Sequence, residues 1–304
     1  MRVSALIFFV LVLGTFSQSA CPQTGKPQPA SATAAQGIAT LKKQAASGDA
    51  SAQFNLGYAY FIGQGVPLDY AQAALWYRKA AEQGLAFAQY NLGLAYHSDW
   101  GVPQDDTQAV VWVRRAAEQG LAHAQYTLGY AYHLGHGAPQ DDALAVVWWR
   151  KAAEQGDASA QFYLGHAYHL GHGVPQDDAQ AVVWWCRAAE QGDASAQYDL
   201  GYAYFIGQGA PQDYAQAVLW YRKAAEQGIA SAQFNLGTAY FNGQGVPQDY
   251  AEAYFWLDIA AAGGKEVTKP RDDAASHLTP ADLSRVQERA RQWFEAHPKK
   301  AVEQ

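Results

Sequence analysis

Apolar and small residues recur along this chain at helical spacing, in two stripes separated by a short break. In residues 49–84 the first stripe is Ala52, Leu56, Ala59 and Tyr60, and the second is Ala73, Trp76, Tyr77 and Ala80. Gly63-Gln64-Gly65-Val66-Pro67 divides them. Glycine accepts the left-handed conformation that ends a helix, and the residue before a proline disfavours helix. Asp69 then stands where a helix N-cap is needed, with Gln72 three residues on as the partner of a capping box. Gly84 marks the stop of the second helix. The pattern predicts a helical hairpin.

The hairpin recurs every 36 positions, six times, without insertion or deletion. Its glycines are Gly57, Gly93, Gly129, Gly165, Gly201 and Gly237, and a tryptophan column keeps the same period from Trp76 to Trp256. A fixed period of this length specifies a stacked array rather than a compact enzyme domain. Glycine inside a helix lowers propensity, so the Gly57 column predicts that another helix backbone passes close by. The tryptophan column sits at core-facing spacing and is expected to fill the array. Unit 2 departs locally: Ser98-Asp99-Trp100-Gly101 stands where other units have Gly-x-Gly, and its turn is expected to differ.

The run from Ala52 to Gly84, A-Q-F-N-L-G-Y-A-Y-F-I-G-Q-G-V-P-L-D-Y-A-Q-A-A-L-W-Y-R-K-A-A-E-Q-G, resembles the Sel-one-like repeat, a branch of the tetratricopeptide repeat superfamily. The resemblance extends over roughly residues 37–264. It implies an all-α fold, a right-handed α-solenoid of stacked helical hairpins whose first helices line the concave face. Ile38 to Gly48 is similar to a second helix alone and reads as an N-terminal cap over 37–48, ahead of six repeats over 49–264. Residues 265–304 read as C-terminal capping helices, whose charged residues would solvate the open end of the stack.

Composition changes this picture little. Lys and Arg number 21 against 28 Asp and Glu, a formal charge of −7, and the two signs are interspersed. A nucleic-acid partner is therefore not expected, since it would need Lys and Arg clustered on one face. The N-terminus adds more. Arg2, the apolar run from Ala5 to Leu13 and small polar residues through Ala20 follow the order of a secretory signal peptide, predicted to span 1–20. The apolar run is too short to span a membrane comfortably. Gln18-Ser19-Ala20-Cys21 also resembles a bacterial lipobox, with Gln18 where an aliphatic residue is usual, and makes Cys21 a candidate for lipidation and membrane attachment. Residues 21–36, rich in Pro, Gln, Ser, Thr and Ala, read as a flexible linker. Export to a bacterial periplasm or envelope, or secretion, is the expected localisation.

Residues with candidate chemistry fall in columns whose identity changes between units. The histidines His97, His133 and His169 occupy a position held by Phe61, Phe205 and Phe241 elsewhere, and His136 and His172 replace Gln64, Gln208 and Gln244. Exchange with Phe and Gln reads as packing and turn positions rather than metal ligands, and no metal or other cofactor is expected. Asp106, Asp142 and Asp178, each following a capping Asp, read as first-turn carboxylates favoured by the helix dipole. Cys186 stands where other units carry Arg78, Arg114, Arg150 and Arg222, and reads as drift at an outward position.

Two columns vary in chemistry on this near-identical frame. One runs Tyr58, Leu94, Tyr130, His166, Tyr202, Thr238, and the other Asn55, Asn91, Thr127, Tyr163, Asp199, Asn235. The resemblance places both near the concave groove, and varied aromatic and polar residues there suit recognition. Tyr58, Tyr130, Tyr163, His166, Tyr202 and Trp100 are the candidate binding residues, and no catalytic set is recognised. The expected function is a non-catalytic scaffold or adaptor for a protein or peptide partner. A β-lactamase-like hydrolase, known among cysteine-rich exported relatives, and a cell-wall glycan binder using Trp100 are the alternatives.

Overall fold

A computed structural model describes the backbone of residues 30–297 and the side chains of 37–297. Helix α1 (Ala30–Ala46) leads into six hairpins, each a first and a second helix. These are α2 (Ala50–Ile62) with α3 (Tyr70–Glu82), α4 (Ala86–Ser98) with α5 (Asp106–Glu118), and α6 (Ala122–Leu134) with α7 (Asp142–Glu154). They continue as α8 (Ala158–Leu170) with α9 (Asp178–Glu190), α10 (Ala194–Ile206) with α11 (Tyr214–Glu226), and α12 (Ala230–Asn242) with α13 (Tyr250–Ala262). Helices α14 (Thr268–Ser276) and α15 (Pro280–Ala296) close the described chain. Every second helix packs on its own first helix, and α3, α5, α7, α9 and α11 also pack on the first helix of the next unit, which makes the array an all-α solenoid. Among the described residues there is no strand, and no helix long and apolar enough to cross a membrane. The predicted signal peptide and Cys21 lie outside the described residues.

Helix ends form where the sequence predicts them. Asp69, Asp105, Asp141, Asp177, Asp213 and Asp249 each accept the backbone N–H three residues on, including that of Leu144 where the Gln of the capping box is missing. The turn of unit 2 does not differ, contrary to expectation. Asp99 adopts φ 59°, ψ 32°, beside φ 70°, ψ 28° for Gly63, and donates its N–H to the Ala95 carbonyl as the glycines do at their own positions. Aspartate is among the few residues that enter this region at tolerable cost.

The glycine inside each first helix marks a close approach within the hairpin, as expected. A Cβ on Gly129 would lie 2.6 Å from Trp149 Cδ1 and 3.0 Å from the Ala145 carbonyl oxygen. The same crowding recurs at Gly57 against Tyr77 and at Gly237 against Leu257. The tryptophan column behaves differently from expectation. Trp184, Trp220 and Trp256 are buried, but Trp76, Trp112 and Trp148 are half-buried. Lys79, Arg115 and Lys151 lie 4.1, 4.4 and 4.1 Å from the centres of those three rings. The buried filler of every hairpin is the next column: Tyr77, Val113, Trp149, Trp185, Tyr221 and Leu257. Helical spacing alone could not choose between adjacent positions on a wide apolar stripe.

A buried glutamine joins each unit to its predecessor. Gln125 Nε2 donates to the Ala117 carbonyl at the end of α5, 3.1 Å away, and its Oε1 accepts from Gln155 Nε2 at the end of α7, at 2.7 Å. Gln53, Gln89, Gln161, Gln197 and Gln233 repeat the bond to the preceding second helix. The first bond runs to Ala45 of α1, which therefore takes the place of a second helix ahead of the first unit. The N-terminal cap predicted over 37–48 falls largely on this helix, which begins at Ala30 and takes in part of the stretch assigned to a flexible linker. At the far end α15 covers α13. Arg289 lies 3.8 Å from the centre of the Phe255 ring and bonds Glu252, while Arg271 pairs with Asp258 at 3.2 Å.

Replacing Gly129 by alanine is expected to destabilise the array by about 1–3 kcal/mol, because the new methyl meets a buried indole and a backbone carbonyl. Chemical denaturation followed by circular dichroism checks this, and a midpoint equal to the parent's would show that the approach is loose.

Candidate functional site on the first-helix face

The two variable columns meet across unit boundaries. A residue of the first column lies beside the residue 33 positions later in the second. Tyr130 on α6 packs edge-on against Tyr163 on α8, with centres 5.4 Å apart. His166 on α8 pairs through Nε2 with Asp199 Oδ2 on α10 at 2.9 Å. Tyr126 joins the first pair, 5.7 Å from Tyr163. Beneath them Trp149 stacks under Tyr163 at 5.3 Å and Trp185 meets His166 edge-on at 5.4 Å. Tyr202 on α10 is 47% exposed and extends the face. The candidate residues of the central units thus form one continuous surface over α6, α8 and α10.

Outside the centre the columns are less uniform. Tyr58 is half-buried, and Leu94 is buried, so the face of unit 2 turns inward at the position where its neighbours present polar rings. Thr238 bonds its own helix at the Phe234 carbonyl. Trp100 rises from the turn of unit 2 and borders a small cleft with Phe61, Tyr77, Asn91 and Leu94.

Burial sets the charge preference of the central face. The Tyr126 and Tyr163 hydroxyls are held above the ordinary tyrosine range, chiefly by desolvation and then by neighbouring tyrosines. The Asp193 carboxyl, which caps α10 by accepting the Ala196 N–H at 2.7 Å, is also raised by burial, and nearby Asp199 adds to the shift. Among the described residues no group of three or more His, Cys, Asp or Glu converges on a point that could hold a metal ion.

A second set of contacts lies at the turns, and column-by-column reading missed it. His97, His133 and His169 each bond through Nδ1 to the aspartate nine residues on, Asp106, Asp142 and Asp178, all at 2.7 Å. Where a unit has phenylalanine it has tyrosine nine residues later: Phe61 with Tyr70, Phe205 with Tyr214, Phe241 with Tyr250, with centres 5.3–5.4 Å apart. The first-turn aspartates are therefore histidine partners as well as dipole partners. The signal was the joint change of the two columns. The position 64 column of the next unit joins three of these contacts. Trp100 lies 5.2 Å from Phe61, His172 lies 6.4 Å from His133, and Gln208 donates to Asp178 at 2.9 Å.

The arginine column is also a unit-to-unit bond. Arg78 and Arg150 donate to the hydroxyls of Tyr96 and Tyr168 at 2.7 and 2.8 Å, and Arg114 and Arg222 do the same to Tyr132 and Tyr240. Cys186 is half-buried and breaks this series, its thiol facing Glu190. The outward-drift reading of that position is thus corrected: the column faces the next unit.

His123 is the titrating group with the clearest structural consequence. Its Nδ1 lies 2.7 Å from Asp157 Oδ2, and this bond raises the His123 pKa against an opposing desolvation. A histidine raised in the folded state stabilises that state fully below its unfolded pKa of about 6.5, and the contribution disappears as pH rises through the folded value. His123→Gln is expected to lower the denaturation midpoint at about pH 5.5 and to change it far less at about pH 9. Urea unfolding at the two pH values measures the difference; an equal loss at both would assign His123 a packing role only.

Comparison with known proteins follows the same register. The Sel1 repeat model matches residues 50–85, 86–121, 122–157, 158–193, 194–229 and 230–265, with a further match at 275–296 over α14 and α15. The fold is similar to a crystal structure of a protective antigen present in uropathogenic Escherichia coli strains that displays an SLR fold, at 40% identity and a TM-score of 0.76. That match covers 85% of this chain and 55% of the antigen, so the chain spans little more than half of that protein. A Sel1 repeat protein from Oxalobacter formigenes is 38% identical with a TM-score of 0.69, over 78% of this chain and 71% of that one. No curated protein matches the chain. Six full matches, each beginning at the first residue of a first helix and together covering most of the chain, make this chain a member of the Sel1 repeat family.

Proposed function

We propose that this protein is an exported scaffold that binds a protein or peptide partner along its first-helix face, centred on units 3–5. Sel1 repeat proteins commonly act as protein–protein interaction scaffolds, and the family is generally non-catalytic. One observation carries the assignment to this face. The variable columns interlock as Tyr130 with Tyr163 and His166 with Asp199, so the residues that differ most between units make a single surface over an almost invariant frame. Aromatic rings with a polar edge, set in a shallow wall, are the side chains that anchor protein interfaces. The concave placement implied by the repeat family would let several units contact one extended partner.

A hydrolase reading finds no support in the one thiol among the described residues. Burial and the facing Glu190 carboxylate raise the Cys186 pKa, the reverse of what an activated nucleophile needs. For the binding reading, truncation of a true anchor is expected to cost at least about 2 kcal/mol of affinity. With a partner in hand, calorimetric titration of folded Tyr130→Ala and His166→Ala variants tests it. Parent-like binding by both, with loss in Trp100→Ala, would move the site to the turn edge.

Export is part of the same reading and rests on the charged, apolar and small-residue order of the first 20 residues. Intact-mass analysis of protein from the native host is expected to show their removal. A diacylglyceryl mass on Cys21 would identify the lipid-anchored form, and retention of Met1 would refute cleavage.

A further inference from the structure

The distribution of charge around the solenoid is one-sided. None of the six first helices contains Lys or Arg. Every Lys and Arg between residues 49 and 264 lies on a second helix. There the cations are engaged locally: the arginines of the 78 column on tyrosine hydroxyls, and Lys79, Arg115, Lys151, Arg187 and Lys223 over the tryptophan rings three residues before them. The first-helix face of the central units instead carries Asp157, Asp193 and Asp199 among aromatic rings.

These acids are incompletely neutralised by their neighbours. Asp157 and Asp193 cap α8 and α10, and among the described residues histidines are the only titrating cations bonded to the group, His123 to Asp157 and His166 to Asp199. Crowding of Asp193 and Asp199 in a partly desolvated wall disfavours further negative charge there, as the raised Asp193 pKa records. Tyrosine faces beside carboxylates are the surroundings that receive a guanidinium or ammonium group, by cation–π attraction and by charge-assisted hydrogen bonds. An acidic partner would meet carboxylates with no Lys or Arg on the helices of the face to offset them.

We propose that the first-helix face of units 3–5 binds an extended polypeptide segment bearing Arg or Lys, with the cationic side chains seated among Tyr130, Tyr163 and Tyr202 and paired with Asp193 and Asp199. The inference rests on the binding face assigned above and adds the chemistry of the partner. Cation selectivity follows from the face having carboxylates and rings but no competing lysine or arginine. It also separates this array from repeat grooves that would clamp a carboxylate, which need the cations that are missing here.

The test uses the full chain and a fluorescein-labelled peptide of alternating Ser and Arg, seven residues long, read by anisotropy at near-physiological salt. Peptides with Glu or Gln in place of Arg are the controls. The Arg peptide is expected to bind and the other two not. Asp199→Asn is expected to weaken binding about tenfold, the scale of one charge-assisted hydrogen bond. Asp193→Asn, which keeps a capping oxygen, is expected to act in the same direction. Glu154→Gln, on the exposed side of α7, is expected to change affinity less than about twofold. Thermal melts show that each variant is folded. If the Gln or Glu peptide binds as well as the Arg peptide and Tyr130→Ala weakens it, the binding face stands and the charge inference falls. If the Arg peptide binds but Asp199→Asn, Tyr130→Ala and Tyr163→Ala leave it unchanged while Glu154→Gln weakens it, both fall. Failure of the Arg peptide to bind at about 1 mM, or its displacement by a short N-acetylglucosamine oligomer, overturns the cation assignment.

Discussion

The buried glutamine column holds the array in register. Each of these side chains sits where apolar atoms surround it, and an amide left unsatisfied there would cost about 1–3 kcal/mol. Its two ends answer to different helices: Gln125 donates to the carbonyl that ends α5 and accepts from the glutamine that ends α7. One side chain therefore fixes the position of a first helix against two second helices at once. The two bonds together constrain the rotation between neighbouring units, and the pair is repeated from unit 1 to unit 5. Unit 6 ends the relay, because Gly263 occupies the place of the second glutamine.

Close packing makes that geometry stiff. The helix glycine lets the second helix press its largest side chain against the first helix, so Trp149 and Trp185 become the floor beneath Tyr163 and His166. A floor that cannot move holds the rings above it at set spacings. The face proposed for binding is thus built by the hairpin core rather than by mobile loops. Contacts at the turns act on the other edge of each unit, where His–Asp and Phe–Tyr pairs interchange. Both pairs bridge the end of a first helix and the start of its second, one by a charge-assisted hydrogen bond and one by ring packing. The frame tolerates either because each fills the same gap.

The ends follow from the same logic. A solenoid exposes an apolar face at each terminus unless something covers it. Here α1 packs on the first unit in the place of a second helix, and its Ala45 carbonyl receives the first bond of the glutamine column. At the other terminus α15 lies across α13, buries Phe255, and turns Arg289 and Glu252 toward solvent. The corresponding position in the other units, for example Val147, is exposed.

What the sequence determined by itself was the local and the periodic. Helix ends, helix caps and the six-fold repetition were legible because each depends on residues within one or two turns of helix, or on self-similarity at a fixed offset. Even the close approach at Gly129 could be read, since a glycine in a helix has few other reasons to be there. The tertiary structure decided which of two adjacent aromatic columns fills the core. It also decided that histidine and aspartate nine residues apart are partners, that the arginine column reaches the next unit, and that Tyr130 meets Tyr163 while His166 meets Asp199. The histidine–aspartate pair lies within one hairpin, whereas the other contacts join residues 18 to 33 positions apart and depend on the rotation of unit upon unit. That rotation is set by the glutamine bonds and the volume of the packed rings, quantities that no single helix carries in its own spacing.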